Sequence, residues 1–394
     1  AADDQTKTVS FLMNHKECLE ISCDIEEERS LIGNIYVGKV KNIVKNIDAA
    51  FVEIKKGVLC FLPLSEAEGA IFTKTKETDK LVVGDELLVQ VLKDGVKTKA
   101  PVVSTNLNFT GRYFVFTTKR KDELGVSNKL GEEDRKRLQA YAATKESDAF
   151  GMILRTNAKN ASTEELDAEY EYLKEVHDKV VNFGVHKTVF SLLMQDEAPY
   201  IKQLRNIRQD ELEEIITDDK EIYEQAYEFL KSHQPADLDK LRMYEDASYS
   251  LWNLYGLETL LDDATRTRVW LKSGGYLVIE PTEALTVIDV NTGKYEGGKN
   301  ADSTFVKINQ EAAVETAKQL RLRNISGIII IDFIDMKTEA DKLDVLSALN
   351  KELKKDPVKA TLVDMTKLNL AEVTRKKVKK SLREQLGNYD YRRN

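Results

Sequence analysis

The sequence predicts a multidomain protein of the α/β and β classes, and three observations predict it. The chain has 394 residues, room for roughly two to four domains. Between residues 32 and 92, short alternating apolar segments recur with Gly and Asp between them, the pattern of a small β-barrel. From residue 265 onward, apolar β-branched runs alternate with long amphipathic segments, the pattern of a sheet covered by helices.

Composition narrows the class. Hydrophobic residues make up 42% of the chain and charged residues 32%, of mixed sign. No apolar run reaches the ~18 residues of a membrane span, and the first residues lack a basic-then-apolar signal pattern. A cytoplasmic protein without membrane contact is expected. Cys18, Cys23 and Cys60 form no Cys-x-x-Cys pair, and the four histidines are scattered. Reduced thiols fit better than a zinc site or a disulfide framework. The net charge of −8 argues mildly against nucleic acid, but distribution matters more than the sum. Two basic clusters stand out, Arg375 to Arg383 and Lys318, Arg321 and Arg323.

In chain order, residues 8–14 and 18–24 read as strands too few to make a core alone. Residues 32–43, 49–54, 57–64 and 83–92 supply the barrel strands. Residues 132–145 read as a helix, 150–158 as a strand ending in polar residues, and 163–183 as a long helix capped at Thr163. Residues 200–265 read as mainly helical. Strands follow near 268–271, 275–281 and 284–291, with a turn at 281–284. A helix over 303–323, a strand over 327–333, a helix over 339–355, a strand over 358–364 and a basic helix over 371–386 complete the chain.

The chemistry concentrates between residues 285 and 337. Two apolar runs, Leu-Thr-Val-Ile-Asp-Val-Asn and Gly-Ile-Ile-Ile-Ile-Asp, each stop on a carboxylate, Asp289 and Asp332. Strand residues i and i+2 share a face, so Asp289 and Asn291 point the same way. The long helical segment between the runs can set the two strands side by side, making Asp289 and Asp332 neighbours. Two hard oxygen ligands suit Mg²⁺, which keeps several waters. Asn291 would hold Asp289 by a hydrogen bond. Asp335 falls on the other face of a continuing strand, as a structural or outlying residue. The loop 292–299 adds glycines and two lysines suited to a phosphate.

The order Gly-Lys-Val, Ala-Phe-Val, Phe-Leu-Pro and Val-Gly-Asp in the barrel resembles an S1 domain of the OB-fold group. Such barrels stack bases on aromatics beside basic side chains. Phe61, Phe72, Lys39 and Lys99 are the candidates here, with barrel core the competing role for Phe61. Ile-Asp-Val-Asn at 288–291, and the stretch from Lys318 to Met336, resemble the ribonuclease E/G family, as do the barrel motifs and Arg155-Thr156. The resemblance covers nearly the whole chain in the same order.

The resemblance implies a single-strand endoribonuclease for RNA processing and decay that uses Mg²⁺, with Mn²⁺ as an alternative, and leaves 5′-phosphate products. It implies Asp289 and Asp332 as metal ligands, Asn291 as the residue that orients Asp289, and Arg155 and Thr156 as contacts to a 5′-monophosphate. Lys359 stands at the family's third sensor position, where an Arg is usual; it keeps the charge without the bidentate fork. The implied domains are an RNase H-like subdomain (1–32 with 201–264), the S1 barrel (33–104), a 5′-sensor region (105–200) and a DNase I-like catalytic subdomain with the basic helix (265–394). The family's Cys-x-x-Cys link does not follow the catalytic unit in this sequence, so no zinc is expected in this chain and a zinc-tethered dimer or tetramer is not implied. The expected partners are single-stranded RNA and a further copy of the chain. The competing function is a non-catalytic RNA-binding scaffold built on the barrel and the basic C-terminal helix.

Overall fold

The computed structural model describes residues 7–15, 17–25, 30–78, 80–95, 99–119, 124–145, 148–207, 209–293, 301–366 and 368–387. Contacts divide the chain into two compact units, Ala1–Glu28 with Glu245–Asn394, and Arg29–Tyr244. Among the described residues, no helix is long and apolar enough to cross a membrane.

The chain opens with an antiparallel hairpin, β1 (Lys7–Asn14) and β2 (Glu17–Ile25). The second unit then begins with β3 (Ile35–Val44), β4 (Ala49–Lys55), β5 (Val58–Pro63), β6 (Glu86–Lys93) and β7 (Val102–Ser104). Their order is β3-β4-β5-β7-β6, and β6 pairs back onto β3, so the five strands close into a barrel. Val40, Val52, Cys60, Leu62, Leu87 and Val89 fill it. A Cβ at Gly38 would sit 2.6 Å from Val52 Cγ1, so only glycine lets β3 cross the core this closely. The short β7 carries too little alternation to be read from sequence.

Next come β8 (Asn108–Thr110), β9 (Phe114–Thr117), β10 (Leu124–Val126), α1 (Glu132–Ala143), β11 (Gly151–Leu154), α2 (Thr163–Gly184) and β12 (Leu192–Met194). The sheet order is β10-β11-β9-β8, while β12 joins the barrel at β3. Phe109, Phe114, Phe116 and Phe150 share one core with Leu173 of α2 and with Ile35, Val37 and Leu88 of the barrel. The barrel and this sheet are thus fused through common packing. The cap of α2 is Ser162 rather than Thr163: its hydroxyl accepts from Glu165 N–H while the Glu165 carboxylate accepts from Ser162 N–H. The unit ends with α3 (Pro199–Asn206), β13 (Ile215–Thr217), α4 (Lys220–His233) and β14 (Leu241–Met243). The expected helical region therefore contains a parallel strand pair, β13 with β14, packed near Phe229 and Leu230.

The remainder of the first unit comprises α5 (Leu251–Leu254), α6 (Leu257–Thr265), β15 (Arg268–Trp270), β16 (Tyr276–Pro281), β17 (Leu285–Asn291), α7 (Ala301–Leu322), β18 (Gly327–Asp332), α8 (Glu339–Leu353), β19 (Ala360–Met365), β20 (Leu370–Arg375) and α9 (Leu382–Leu386). The sheet order is β15-β16-β17-β18-β20-β19. Ile288, Val290, Ile329, Ile331, Ala371 and Val373 pack against Ala312, Ala313 and Leu320 of α7 and Val345 and Leu349 of α8. Each fully buried aliphatic contributes about 1.5–3 kcal/mol. The alternate residues on these strands face the other way, and Val287 and Ile328 are exposed. Among the described residues, α7 and α8 cover one face of this sheet.

The basic helix expected over 371–386 is instead β20, a connection and the short α9. Ala371, Val373 and Arg375 are buried in alternation, a period of two that basic side chains disguised. Cys18, Ile21 and Cys23 of β2 pack with Leu261 and Ala264 of α6, Leu322 of α7, and Leu382 and Leu386 of α9. This is how the N-terminal hairpin acquires a core.

Candidate active site

β17 and β18 run parallel, and their register sets Asp289 directly beside Asp332. Both carboxylates are exposed on the open face of the sheet. Asn291, two residues along the same face, donates from Nδ2 to Asp289 Oδ2 at 2.7 Å. Partial burial, with Asp289 and then Asp335 as neighbouring negative charges, holds the Asp332 carboxyl above the usual carboxylate range. Two acids at one register position therefore repel, and a cation between them would relieve the strain.

Backbone features fix this corner. Gly293 takes φ +67°, and a Cβ there would lie 2.2 Å from Gly274 O, so the chain after Asn291 presses against the β15–β16 turn. The Glu311 carboxylate of α7 accepts from the N–H groups of Lys272 and Ser273 and pins that turn. Asn309, fully buried on α7, donates to Ile334 O at 2.8 Å and accepts from Ile334 N–H at 3.0 Å. It fixes the backbone just after Asp332. Neither Asn309 nor Glu311 was singled out from sequence. A polar residue on the apolar stripe of α7 was the available signal.

The expected glycine and lysine loop lies, from residue 294 on, outside the described residues. Among the described residues, no group of three His, Cys, Asp or Glu gathers as a metal cage. A pair of carboxylates with room for waters is the donor set that suits Mg²⁺. Burial pushes the thiols of Cys18 and Cys23 up to about 11 and that of Cys60 to about 12, so none is poised as a nucleophile.

Four members of the basic clusters, Arg375, Arg323, Lys318 and Lys379, are engaged by other residues of the protein. Arg375 donates to Asp356 Oδ2 at 2.8 Å, to Asn324 Oδ1 at 2.8 Å and to Ile325 O. Arg323 donates to Gln319 and to the carbonyls of Arg266 and Asp263. Lys318 pairs with Glu17, and Lys379 with Glu20. Arg375 and Arg323 are thereby buried and committed within the protein.

In the barrel, Phe61 points away from the core: its neighbours Cys60 and Leu62 are buried, while Phe61 meets Phe51 edge-on at 6.0 Å on the outer face. Phe61 N–H donates to Pro101 O, two residues after the exposed Lys99. Lys39 pairs with Glu86 at 3.6 Å. Phe72 packs on the barrel core with the Lys76 ammonium over its ring at 4.3 Å.

Arg155 follows β11 and precedes a short 3₁₀ turn, Thr156–Asn160. Its guanidinium donates to Gly111 O and to Asn206 Oδ1 at 2.8 Å. Burial, with Arg205 nearby, lowers its pKa to about 10. The Gly111 turn is itself clasped by the half-buried Glu169 carboxylate, which accepts from the N–H groups of Arg112, Tyr113 and Phe114. Lys359 belongs to the other unit, exposed just before β19.

Compared with known proteins, the sequence matches the Ribonuclease E/G family over residues 108–378 and the S1 RNA binding domain over residues 31–106. The chain belongs to the ribonuclease E/G family. It is 35% identical to ribonuclease G of Escherichia coli strain K12 over 380 residues, covering 94% of this chain and 77% of that protein. It is 36% identical to ribonuclease G of Haemophilus influenzae over 375 residues, covering 92% and 76%. With ribonuclease E of Synechocystis the identity is 33% over 367 residues, covering 90% of this chain and 54% of the relative. The family match spans the sheet that carries Asp289 and Asp332, and the S1 match coincides with the closed barrel.

Proposed function

We propose that this ribonuclease E/G family member is a Mg²⁺-dependent endoribonuclease that hydrolyses internal phosphodiester bonds of single-stranded RNA and leaves 5′-phosphate products. Family membership supports the endoribonuclease class, and the S1 domain supports RNA as ligand. The observation that carries the metal reading is the register pairing of Asp289 with Asp332 on an open sheet face.

Asp289 and Asp332 would hold the ion, which when bound would polarise a phosphoryl oxygen and lower the pKa of a water. The chain's own residues do the rest. Asn291 fixes the rotamer of Asp289, so one carboxylate oxygen stays turned to the open face. Asn309 and the pinned Gly274–Gly293 contact keep the two acids at constant separation. The barrel's outer face, with Phe61 and Lys99, would grip the strand, and Phe72 and Lys39 would extend that grip. Arg155 and Thr156 are proposed to contact a 5′-monophosphate; the Thr156 hydroxyl is the freer donor, since Arg155 is already engaged with Gly111 and Asn206. Lys359 is proposed as a further cation toward the RNA.

The test is cleavage of a labelled, unstructured RNA with Mg²⁺, compared among the parent protein, Asp289→Asn and Asp332→Asn. Each substitution should lower the rate at least about hundredfold, a loss of roughly 3 kcal/mol of barrier reduction. Full activity in either variant refutes the ligand assignment, and intact RNA with the parent protein supports a binding scaffold instead. A 5′-monophosphorylated substrate should be cut faster than its 5′-hydroxyl counterpart, and Thr156→Val should shrink that difference.

A further inference from the structure

One group on the open sheet face has no part in the scheme above. Trp270 of β15 is 62% exposed, unusual for the largest apolar side chain. Its ring meets Tyr276 of β16 edge-on, with centroids 5.2 Å apart. The Arg268 guanidinium lies over the Tyr276 ring at 4.4 Å and near Trp270 at 5.7 Å. Pairing register places this trio on the same face as the acids. Tyr276 is opposite Asn291, and Trp270 is opposite Tyr276. Asp332, Asp289, Val278 and Arg268 form one row across four strands. Strands lie about 4.8 Å apart, so Tyr276 and Trp270 sit roughly 5 and 10 Å from the Asn291 column. That is the reach of the nucleotide next to one bound at the acids.

We propose that Trp270, Tyr276 and Arg268 form a base-stacking subsite for a nucleotide flanking the scissile phosphate. The inference rests on the endoribonuclease reading of Asp289 and Asp332. Trp270 offers an uncovered π-face to a base, and every base has a π-face to return. Arg268, lying over Tyr276, presents its N–H groups to the adjoining phosphate. The platform is held in place before substrate arrives, because Glu311 pins the turn that joins β15 to β16. Its role is specificity and positioning, not chemistry.

The experiment measures kcat/KM for the parent, Trp270→Ala and Trp270→Phe on one RNA with a single cleavage site, and on a series in which one nucleotide at a time is abasic. Trp270→Ala should lower kcat/KM about five- to hundredfold, the worth of one stacked base, while Trp270→Phe stays within a few-fold of the parent. One abasic position near the cleavage site should cost the parent the same factor and cost Trp270→Ala nothing further. Emission from Trp270 in Trp252→Phe protein should also be quenched by the RNA in EDTA. An unchanged kcat/KM for Trp270→Ala, or abasic penalties identical in both proteins, overturns the subsite. If Asp289→Asn is inactive in the same assay, that failure is of the subsite alone; if Asp289→Asn is fully active, the active-site reading falls and the subsite with it.

Discussion

Asn309→Ala isolates a residue that touches neither substrate nor metal in the scheme above. Asn309 is fully buried and makes two hydrogen bonds to Ile334, two residues after Asp332. Alanine removes both partners and leaves an N–H and a C=O to find substitutes. Each unsatisfied group costs about 1–3 kcal/mol, and Ile334 is only partly buried, so about 2–4 kcal/mol is expected in all. For a unit of this size that lowers Tm by roughly 4–16 °C. The functional consequence is separate. Groups that orient a metal-binding carboxylate are worth about 10–100-fold in metal affinity or activity. The Mg²⁺ concentration for half-maximal cleavage, measured well below the variant's Tm, should therefore rise by at least about tenfold. A variant that melts earlier but keeps the parent's Mg²⁺ dependence and kcat would refute the idea that this clamp positions Asp332.

Other perturbations follow from the same geometry. Gly293→Ala places a Cβ against Gly274 O in a left-handed backbone; cleavage should drop more than tenfold while RNA binding by the barrel persists, as measured by filter binding. Arg375→Met removes the counter-charge of the buried Asp356 carboxylate and should cost about 3–5 kcal/mol in urea unfolding, whereas an RNA-contacting arginine would have altered salt-dependent binding instead. Phe61→Ala should weaken single-stranded RNA binding by about 1–3 kcal/mol, read by fluorescence anisotropy, with thermal stability nearly unchanged because the ring lies outside the barrel core. EDTA should abolish cleavage and leave most RNA binding intact; persistent cleavage in EDTA would rule out the metal.

The central strands and their acids were legible because two independent signals agreed. Each apolar run ended on Asp, and the segment between was long enough for a crossover helix. The barrel was legible for the same reason, alternation plus turns. What escaped was either short or doubly purposed. β7, β12 and the β13–β14 pair are three residues each, too brief for a period to register. β20 carries Glu372 and Arg375 in positions where charge suggested a solvated helix, yet Arg375 is buried by partners far away in sequence. Arg155 illustrates the opposite limit: its residue type suggests phosphate, but only coordinates reveal the carbonyls it already holds. Asn309 left one sign, a polar residue on the apolar stripe of α7, and Glu311 left none, because a hydrogen bond to another segment's backbone has no periodic trace.

The position of the acids within the sheet has a dynamic consequence. β17 and β18 are the two central strands of six, whereas Trp270 sits on the edge strand β15. Local opening begins at edges and reaches central strands only with global unfolding. Amide hydrogens around Asp289 and Asp332 should exchange at the slow, global limit, and those of β15 much sooner. The proposed chemistry is thus mounted on the centre of the sheet, and the proposed base contact on its edge, where the Glu311 clamp on the β15–β16 turn is what holds it.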